Sequence, residues 1–232
     1  LSLMISTHRK MRTWENIVDA YIALTEFNKN KYIEAGWPKE KIFVKPNFSD
    51  VKRDRKRKRK PYALFVGRLS EEKGIDFLIK TFVSSGQNLK IIGDGPLRNF
   101  VEISASGNIE YLGKKSKNEV LEYMLESSCL VMASTWYEGF PMVVVEALSC
   151  GLPIVVPKLG NMQAVVPDGI AGIHYQPEDS IGLSAAVLKI ITEFDMFSEG
   201  AISEYCCKYT AERNIEILES IYEYARSGMK ED

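Results

Sequence analysis

From residue 61 onward, short apolar runs alternate with longer stretches in which apolar positions recur every three or four residues. The runs 62–66 (Tyr-Ala-Leu-Phe-Val), 89–92 (Leu-Lys-Ile-Ile), 109–112, 129–133, 153–156 and 171–175 predict strands. The stretches between them, around 74–84, 96–105, 117–126, 141–150 and 161–166, predict helices. Strands that alternate with helices in this way are joined by right-handed crossovers, so the pattern predicts an α/β fold with a doubly wound parallel sheet of six strands. After Pro177 the periodicity is helical throughout, with 179–193 and 209–226 as the longest pieces.

Residues 1–46 read differently. A polar, helix-like start is followed by a strand over Tyr21–Leu24, a helix around 26–35 and a strand over Ile42–Val44. That is too little for a domain and reads as the last βα units of a preceding one. Between Pro46 and Pro61 lies the run Lys52–Lys60, with eight basic residues and one acid, Asp54. A run of like charges repels itself and resists burial, so it predicts an extended, solvated connector. The boundaries expected are therefore 1–46 for the remnant, 47–60 for the basic linker, 61–208 for the main domain and 209–232 for a final helix and tail.

Composition narrows the class. The 232 residues are 45% apolar and 26% charged with a net charge of −1, which excludes disordered and collagen-like chains. Outside the basic run the balance turns acidic, at 22 basic against 30 acidic side chains. No apolar stretch approaches the roughly 18 residues of a spanning helix, so neither a signal peptide nor a membrane span is expected. Cys129, Cys150, Cys206 and Cys207 lack zinc-ligand spacing and fit a reducing, cytoplasmic setting. His8 and His174, the only histidines, read as structural or surface residues. The basic run itself is open to three readings: a hydrophilic linker, an attachment to anionic lipid, or a nucleic-acid contact.

In an open parallel sheet, ligands bind outside the carboxyl ends of the strands, so the loops there carry the candidate chemistry. The loop 67–74, Gly-Arg-Leu-Ser-Glu-Glu-Lys-Gly, brings Arg68 and Lys73 within reach of one phosphate pair. Charge-assisted hydrogen bonds to phosphate are worth about 1.5–3 kcal/mol each. Gly93 and Gly95, in Gly-Asp-Gly-Pro, let a backbone approach a ligand, but Arg98 stands where a dinucleotide fingerprint has its third glycine. Nicotinamide and flavin chemistry are thereby disfavoured. The stretch Glu138-Gly139-Phe140-Pro141 precedes an apolar helix interrupted by Glu146, a carboxylate that needs a partner or a ligand hydroxyl. Free backbone N–H groups over 139–141, at a helix amino end, favour an anion. Finally, the main chain around Leu112, Gly113 and Lys114, after the third strand, suits a planar base.

These motifs, in this order and spacing, resemble the carboxyl-terminal, donor-binding half of the group 1 (family 4) glycosyltransferases with the GT-B fold. The resemblance rests on Gly67-Arg68 with Lys73-Gly74, Gly93-x-Gly95-Pro96, Tyr111-Leu112-Gly113, Glu138-Gly139-Phe140-Pro141 with Glu146-Ala147, Gly151-x-Pro153 and Asp168-Gly169. It implies a Rossmann-like domain that takes a sugar from a nucleotide-diphosphate sugar, with no separate cofactor and no metal, and with retention of anomeric configuration. On the same footing Arg68 and Lys73 carry the diphosphate, Glu138 the donor sugar and Glu146 the ribose hydroxyls. The backbone at Gly139, Phe140, Pro141 and Gly93 lines the sugar and phosphates, and that of Leu112 and Lys114 faces the base.

The family carries a whole preceding domain for a glycan or lipid acceptor, of which only 1–46 could be present. The chain is therefore expected to be a donor-binding fragment, inactive alone, cytoplasmic or peripheral to the inner face of an anionic membrane, with no nucleic-acid partner. Its final helix is expected to leave an apolar face exposed. The competing reading is a non-catalytic adaptor that uses the basic run to hold anionic lipid or nucleic acid. An epimerase or phosphorylase of the same architecture is a third, with no residue that singles it out.

Overall fold

The computed structural model describes residues 2–51 and 58–228. Two short helices, α1 (Ser2–Lys10) and α2 (Thr13–Ile17), lead into β1 (Tyr21–Ala23), α3 (Glu26–Glu34) and β2 (Ile42–Val44). The two strands pair in parallel, with Tyr21 beside Ile42 and Ala23 beside Val44. The main sheet is built from β3 (Ala63–Val66), β4 (Leu89–Ile92), β5 (Ile109–Tyr111), β6 (Cys129–Val131), β7 (Ile154–Pro157) and β8 (Gly172–Tyr175). All its pairings are parallel, in the order β5-β4-β3-β6-β7-β8.

Successive side chains of a strand leave opposite faces of the sheet, and both faces here are apolar, as a parallel sheet with helices on each side requires. Leu64, Ile92, Leu130, Ile154 and Val156 point into one core. There they meet α6 (Lys117–Glu126) and α7 (Met142–Ser149) through Leu121, Met124, Val144 and Leu148. Ala63, Phe65, Leu89, Ile91, Val131 and Val155 point into the other. On that side lie α4 (Ile75–Ser85), α5 (Arg98–Ser104) and α9 (Ser180–Thr192), through Leu78, Phe82, Val101, Leu183 and Val187. The start of α6 is fixed by a capping box in which the Ser116 hydroxyl accepts from the Glu119 amide while the Glu119 carboxylate accepts from the Ser116 amide.

Several expectations shift. The helix after Gly139 begins at Met142, with Pro141 as the flanking residue in extended geometry, and ends at Ser149. Beyond α8 (Asn161–Val165) and α9, the segment 194–208 is a helix in its own right, α10 (Phe194–Lys208), and its 15 residues exceed the 13 of α9. Its fully buried residues are Phe197, Ala201 and Tyr205, a narrow stripe that does not stand out among polar neighbours, with Phe194 and Ile202 partly buried beside it. The last helix, α11 (Ala211–Gly228), returns to the small sheet: Asn214 Nδ2 donates to Pro46 O at 2.7 Å, and the Tyr224 ring lies 4.8 Å from that of Phe43. Ile215 and Tyr222 remain exposed, as an uncovered face predicts.

The basic run is not uniformly solvated. Residues 52–57 lie outside the described residues, but Arg59 turns inward. Its guanidinium donates to the carbonyls of Met124 (2.5 Å) and Ser127 (3.3 Å) at the end of α6 and of Cys150 (2.7 Å) and Gly151 (3.4 Å) at the end of α7. It also lies 5.0 Å from the Phe194 ring. The last carbonyls of a helix lack intrahelical partners and carry its negative dipole end, so a five-donor cation placed between two such ends serves both.

Candidate functional site

The sheet order reverses direction at β3. The chain leaves β3 toward β4 on one side and leaves β6 toward β7 on the other, so the carboxyl edge between these neighbouring strands is the switch point at which open parallel sheets bind ligands. Of the sequence-predicted residues, Arg68 and Lys73 follow β3 and Glu138, Gly139, Phe140 and Pro141 follow β6, whereas Gly93 follows β4, Leu112 and Lys114 follow β5, and Glu146 lies within α7. Lys73 ends the loop after β3, and Glu138 sits in the loop after β6. The Lys73 ammonium pairs with Glu138 Oε1, and the same oxygen accepts the Ser134 hydroxyl at 2.6 Å.

The two loops are closed against each other by the main chain as well. The Thr135 amide donates to Glu72 O at 3.0 Å. Gly74 has φ +66°, and a Cβ there would stand 2.0 Å from the Ala133 carbonyl oxygen, so this close passage of loop over strand end requires glycine. The loop after β4 joins the same assembly: Leu69 N donates to Asp94 O at 3.0 Å and Gly93 N to Gly113 O at 3.1 Å. A Cβ on Gly93 would stand 1.9 Å from the Gly67 carbonyl oxygen, so packing of loop on loop already accounts for this glycine.

Arg68, on the loop after β3, is exposed. Its charge reaches Glu72, whose carboxyl is held below its ordinary range mainly by the Ser70 hydroxyl and by its own backbone amide. Glu146, in the second turn of α7, is partly buried, and Lys117 Nζ from α6 stands 3.7 Å away. Burial pushes the Glu146 carboxyl up, and Lys117 opposes that shift. Among the described residues no hydrogen bond or ion pair joins Glu146 to the Lys73–Glu138 pair. Each of the two carboxylates thus has its own lysine partner.

Phe140 packs on the first core and against the Tyr209 ring at 6.1 Å, anchoring the loop that carries Glu138. Pro141 has no N–H, so the donors at this helix start are the amides of Gly139, Phe140 and the first residues of α7, not those of 139–141 throughout. On the loop expected to face a planar base, Leu112 N is already bonded to Ile91 O at 2.9 Å and Gly113 O to Gly93 N. Lys114 is exposed at the end of that loop. His8 contacts Thr13, and His174 contacts Val166 O, both within their own segments.

One buried group was not anticipated. Asn161, at the carboxyl edge after β7, is 1% exposed and donates from Nδ2 to the carbonyls of both Glu138 and Gly139. The rule that led to the other loops, reading the residues just after each strand, reaches Asn161 when applied to β7. Lys117 and Ser134 also lay outside the motifs. Among the described residues no cluster of three or more His, Cys, Asp or Glu side chains is arranged to hold a metal ion, and no helix is long and apolar enough to cross a membrane.

The family model described as "Glycosyl transferases group 1" matches residues 47–199. An uncharacterized glycosyltransferase of Methanocaldococcus jannaschii is 32% identical over 169 residues, covering 70% of this chain and 48% of the relative. The glycogen synthase of Mycobacterium tuberculosis is 29% identical over 140 residues, or 56% of this chain and 34% of that enzyme. Among solved structures, Anabaena Alr3699/HepE in complex with UDP superposes with a TM-score of 0.76 at 19% identity, over 92% of this chain and 65% of the other. The lipopolysaccharide outer core galactosyltransferase WaaB gives 0.74 at 20%, over 88% and 62%. The chain spans about half the length of the first curated relatives it matches.

Proposed function

The chain belongs to the group 1 glycosyl transferases, with a GT-B type α/β fold, and from that premise we propose that it binds the nucleotide-diphosphate sugar of a hexosyl transfer reaction. The observation that carries this reading is the meeting of Lys73 and Glu138 at the switch point where the sheet reverses. A cation already seated on a carboxylate has a neutralised neighbour, so an incoming diphosphate meets Lys73 and the exposed Arg68 without a facing bare anion. The Glu138 carboxylate, held by Lys73 and Ser134, retains acceptor capacity for sugar hydroxyls. Glu146 offers the same to a ribose diol. That HepE is described in complex with UDP and with UDP-glucose supports a nucleotide sugar as the ligand class.

In the transfer, the bond from the anomeric carbon to the diphosphate oxygen breaks as the acceptor oxygen bonds to that carbon, and the acceptor proton passes to the departing phosphate. Charge builds on the leaving diphosphate. Arg68, Lys73 and the amide groups at the start of α7 oppose it without a metal ion, and the acceptor arrives on the face the diphosphate leaves, retaining configuration. The glycan or lipid acceptor is bound by parts of the enzyme beyond this half, so the chain alone binds donor without turnover, in the cytoplasm or at the inner face of a membrane. The adaptor reading loses support at Arg59, which is engaged with four carbonyls.

Calorimetric titration with UDP, GDP and ADP tests the reading. Saturable binding of at least one is expected, and folded protein with no affinity for any of the three refutes it.

A further inference from the structure

We infer that Thr25 and Asn161 are positioning residues for the donor site, fixing the peptide planes of the Glu138–Phe140 loop so that two backbone amides face the ligand. The inference rests on the nucleotide-sugar reading for the identity of that ligand.

Both amide protons of Asn161 are committed, one to Glu138 O and one to Gly139 O. Turning the amide over would set its oxygen against two carbonyl oxygens, so its orientation is fixed and Oδ1 must find a donor. Thr25 supplies it: the threonine hydroxyl meets Asn161 Oδ1 from 136 residues earlier in the chain. Thr25 is 5% exposed and caps α3, its Oγ1 accepting from the Asn28 amide at 3.0 Å. Asn28 Oδ1 also stands 2.8 Å from this hydroxyl and competes for its single proton, but the Asn28 amide can turn to present Nδ2 as a donor whereas that of Asn161 cannot, so the proton goes to Asn161 and the bonds run from α3 through Asn161 to the loop.

In a trans peptide the carbonyl and the following N–H point opposite ways. Drawing the carbonyls of residues 138 and 139 toward Asn161 turns the amides of Gly139 and Phe140 away from it. Among the described residues neither amide donates a hydrogen bond. Two aligned N–H groups beside Lys73, at the entrance of α7, suit an oxygen-rich, anionic ligand. A second contact supports the same loop: the Phe27 ring of α3 lies 5.3 Å from that of Tyr137. Thr25 and Phe27 both precede the region matched by the family model, so the donor loop takes its support from outside that region.

The test compares Thr25→Val, Thr25→Ser and Asn161→Ala with the parent chain. Thr25→Val keeps the shape of the side chain and covers the case in which Asn161→Ala fails to fold. Order parameters of the Gly139 and Phe140 amides, measured by NMR without ligand, are expected near about 0.85 in the parent and Thr25→Ser, and below about 0.6 in Thr25→Val. Affinity for UDP-glucose is expected to fall about tenfold in Thr25→Val and Asn161→Ala and to return in Thr25→Ser, with uridine binding unchanged. Unchanged order parameters in folded variants overturn the inference, as does an equal loss for uridine and UDP-glucose. A parent chain that binds neither probe refutes the nucleotide-sugar reading instead, and the order parameters still decide whether Thr25 and Asn161 hold the loop.

Discussion

The Lys73 ammonium rests on the same Glu138 oxygen that accepts the Ser134 hydroxyl, so one carboxylate ties the loop after β3 to the loop after β6. Both side chains are partly shielded, at 24% and 17% exposure, which places the pair between a surface contact and a buried one. Lys73→Met is expected to cost about 1–2 kcal/mol, or roughly 2–8 °C in Tm, and to weaken UDP binding about tenfold. Adding Glu138→Gln to that variant removes the stranded charge. Thermal melting should show stability recovering in the double variant while titration shows UDP affinity still reduced.

Glu146 separates stability from function by pH. Its carboxyl is raised by burial, so the folded chain binds its proton more tightly than the unfolded chain does. Stability from this group is therefore highest in acid and declines as pH rises from the ordinary glutamate range through the raised value. Glu146→Gln removes the decline: relative to the parent, the variant should gain Tm between pH 4 and pH 7. If Glu146 meets the ribose as proposed, the variant should also bind UDP more weakly at pH 7. A Tm difference that does not vary with pH contradicts the assignment.

Arg68 lies exposed and should be dispensable for folding. Arg68→Ala is expected to change stability by less than about 0.5 kcal/mol. If the guanidinium meets the diphosphate, the same change weakens UDP binding by about tenfold while leaving uridine binding intact. Parallel titration of UDP and uridine checks this, and an equal effect on both removes Arg68 from the phosphate site.

Arg59 is the opposite case, a residue of the basic run whose role is structural. Arg59→Ala strands four carbonyls at the ends of α6 and α7 and uncovers Phe194. The expected loss is about 2–4 kcal/mol, or roughly 4–16 °C in Tm, with Arg59→Lys restoring little because an ammonium cannot fork between two helix ends. Melting of the two variants beside Lys58→Ala, which is exposed, isolates the effect.

The strands were legible because buried runs such as Ala63–Val66 and Leu89–Ile92 end in glycine turns, and the helices between them repeat at the helical period. The positions of Lys73, Glu138 and Glu146 were legible as motif, and the carboxyl edge of the sheet followed from strand alternation. What could not be read were pairings across long separations. Nothing local distinguishes Asn161 from a surface turn residue, and its partner Thr25 reads as an ordinary helix cap. Arg59 was hidden by its neighbours, since a charge run suggests solvent for every member. Lys117 looked like any first-turn lysine, and only the folded chain shows that it shares Glu146 with the core. Helix α10 was submerged in a long helical tail because its stripe of fully buried residues is narrow.

The strands β3, β4 and β5 come from one stretch of chain and β6, β7 and β8 from another, and the seam between them registers only Ala63 with Cys129 and Leu64 with Leu130. If the proposed nucleotide sugar is gripped by Lys73 from one side and Glu138 from the other, it acts as a bolt across that seam. Occupancy and heat resistance then rise together by mass action, adding about 2.7 kcal/mol at a hundredfold excess over Kd. On that reading, the chain's own melting curve becomes a gauge of which nucleotide it prefers.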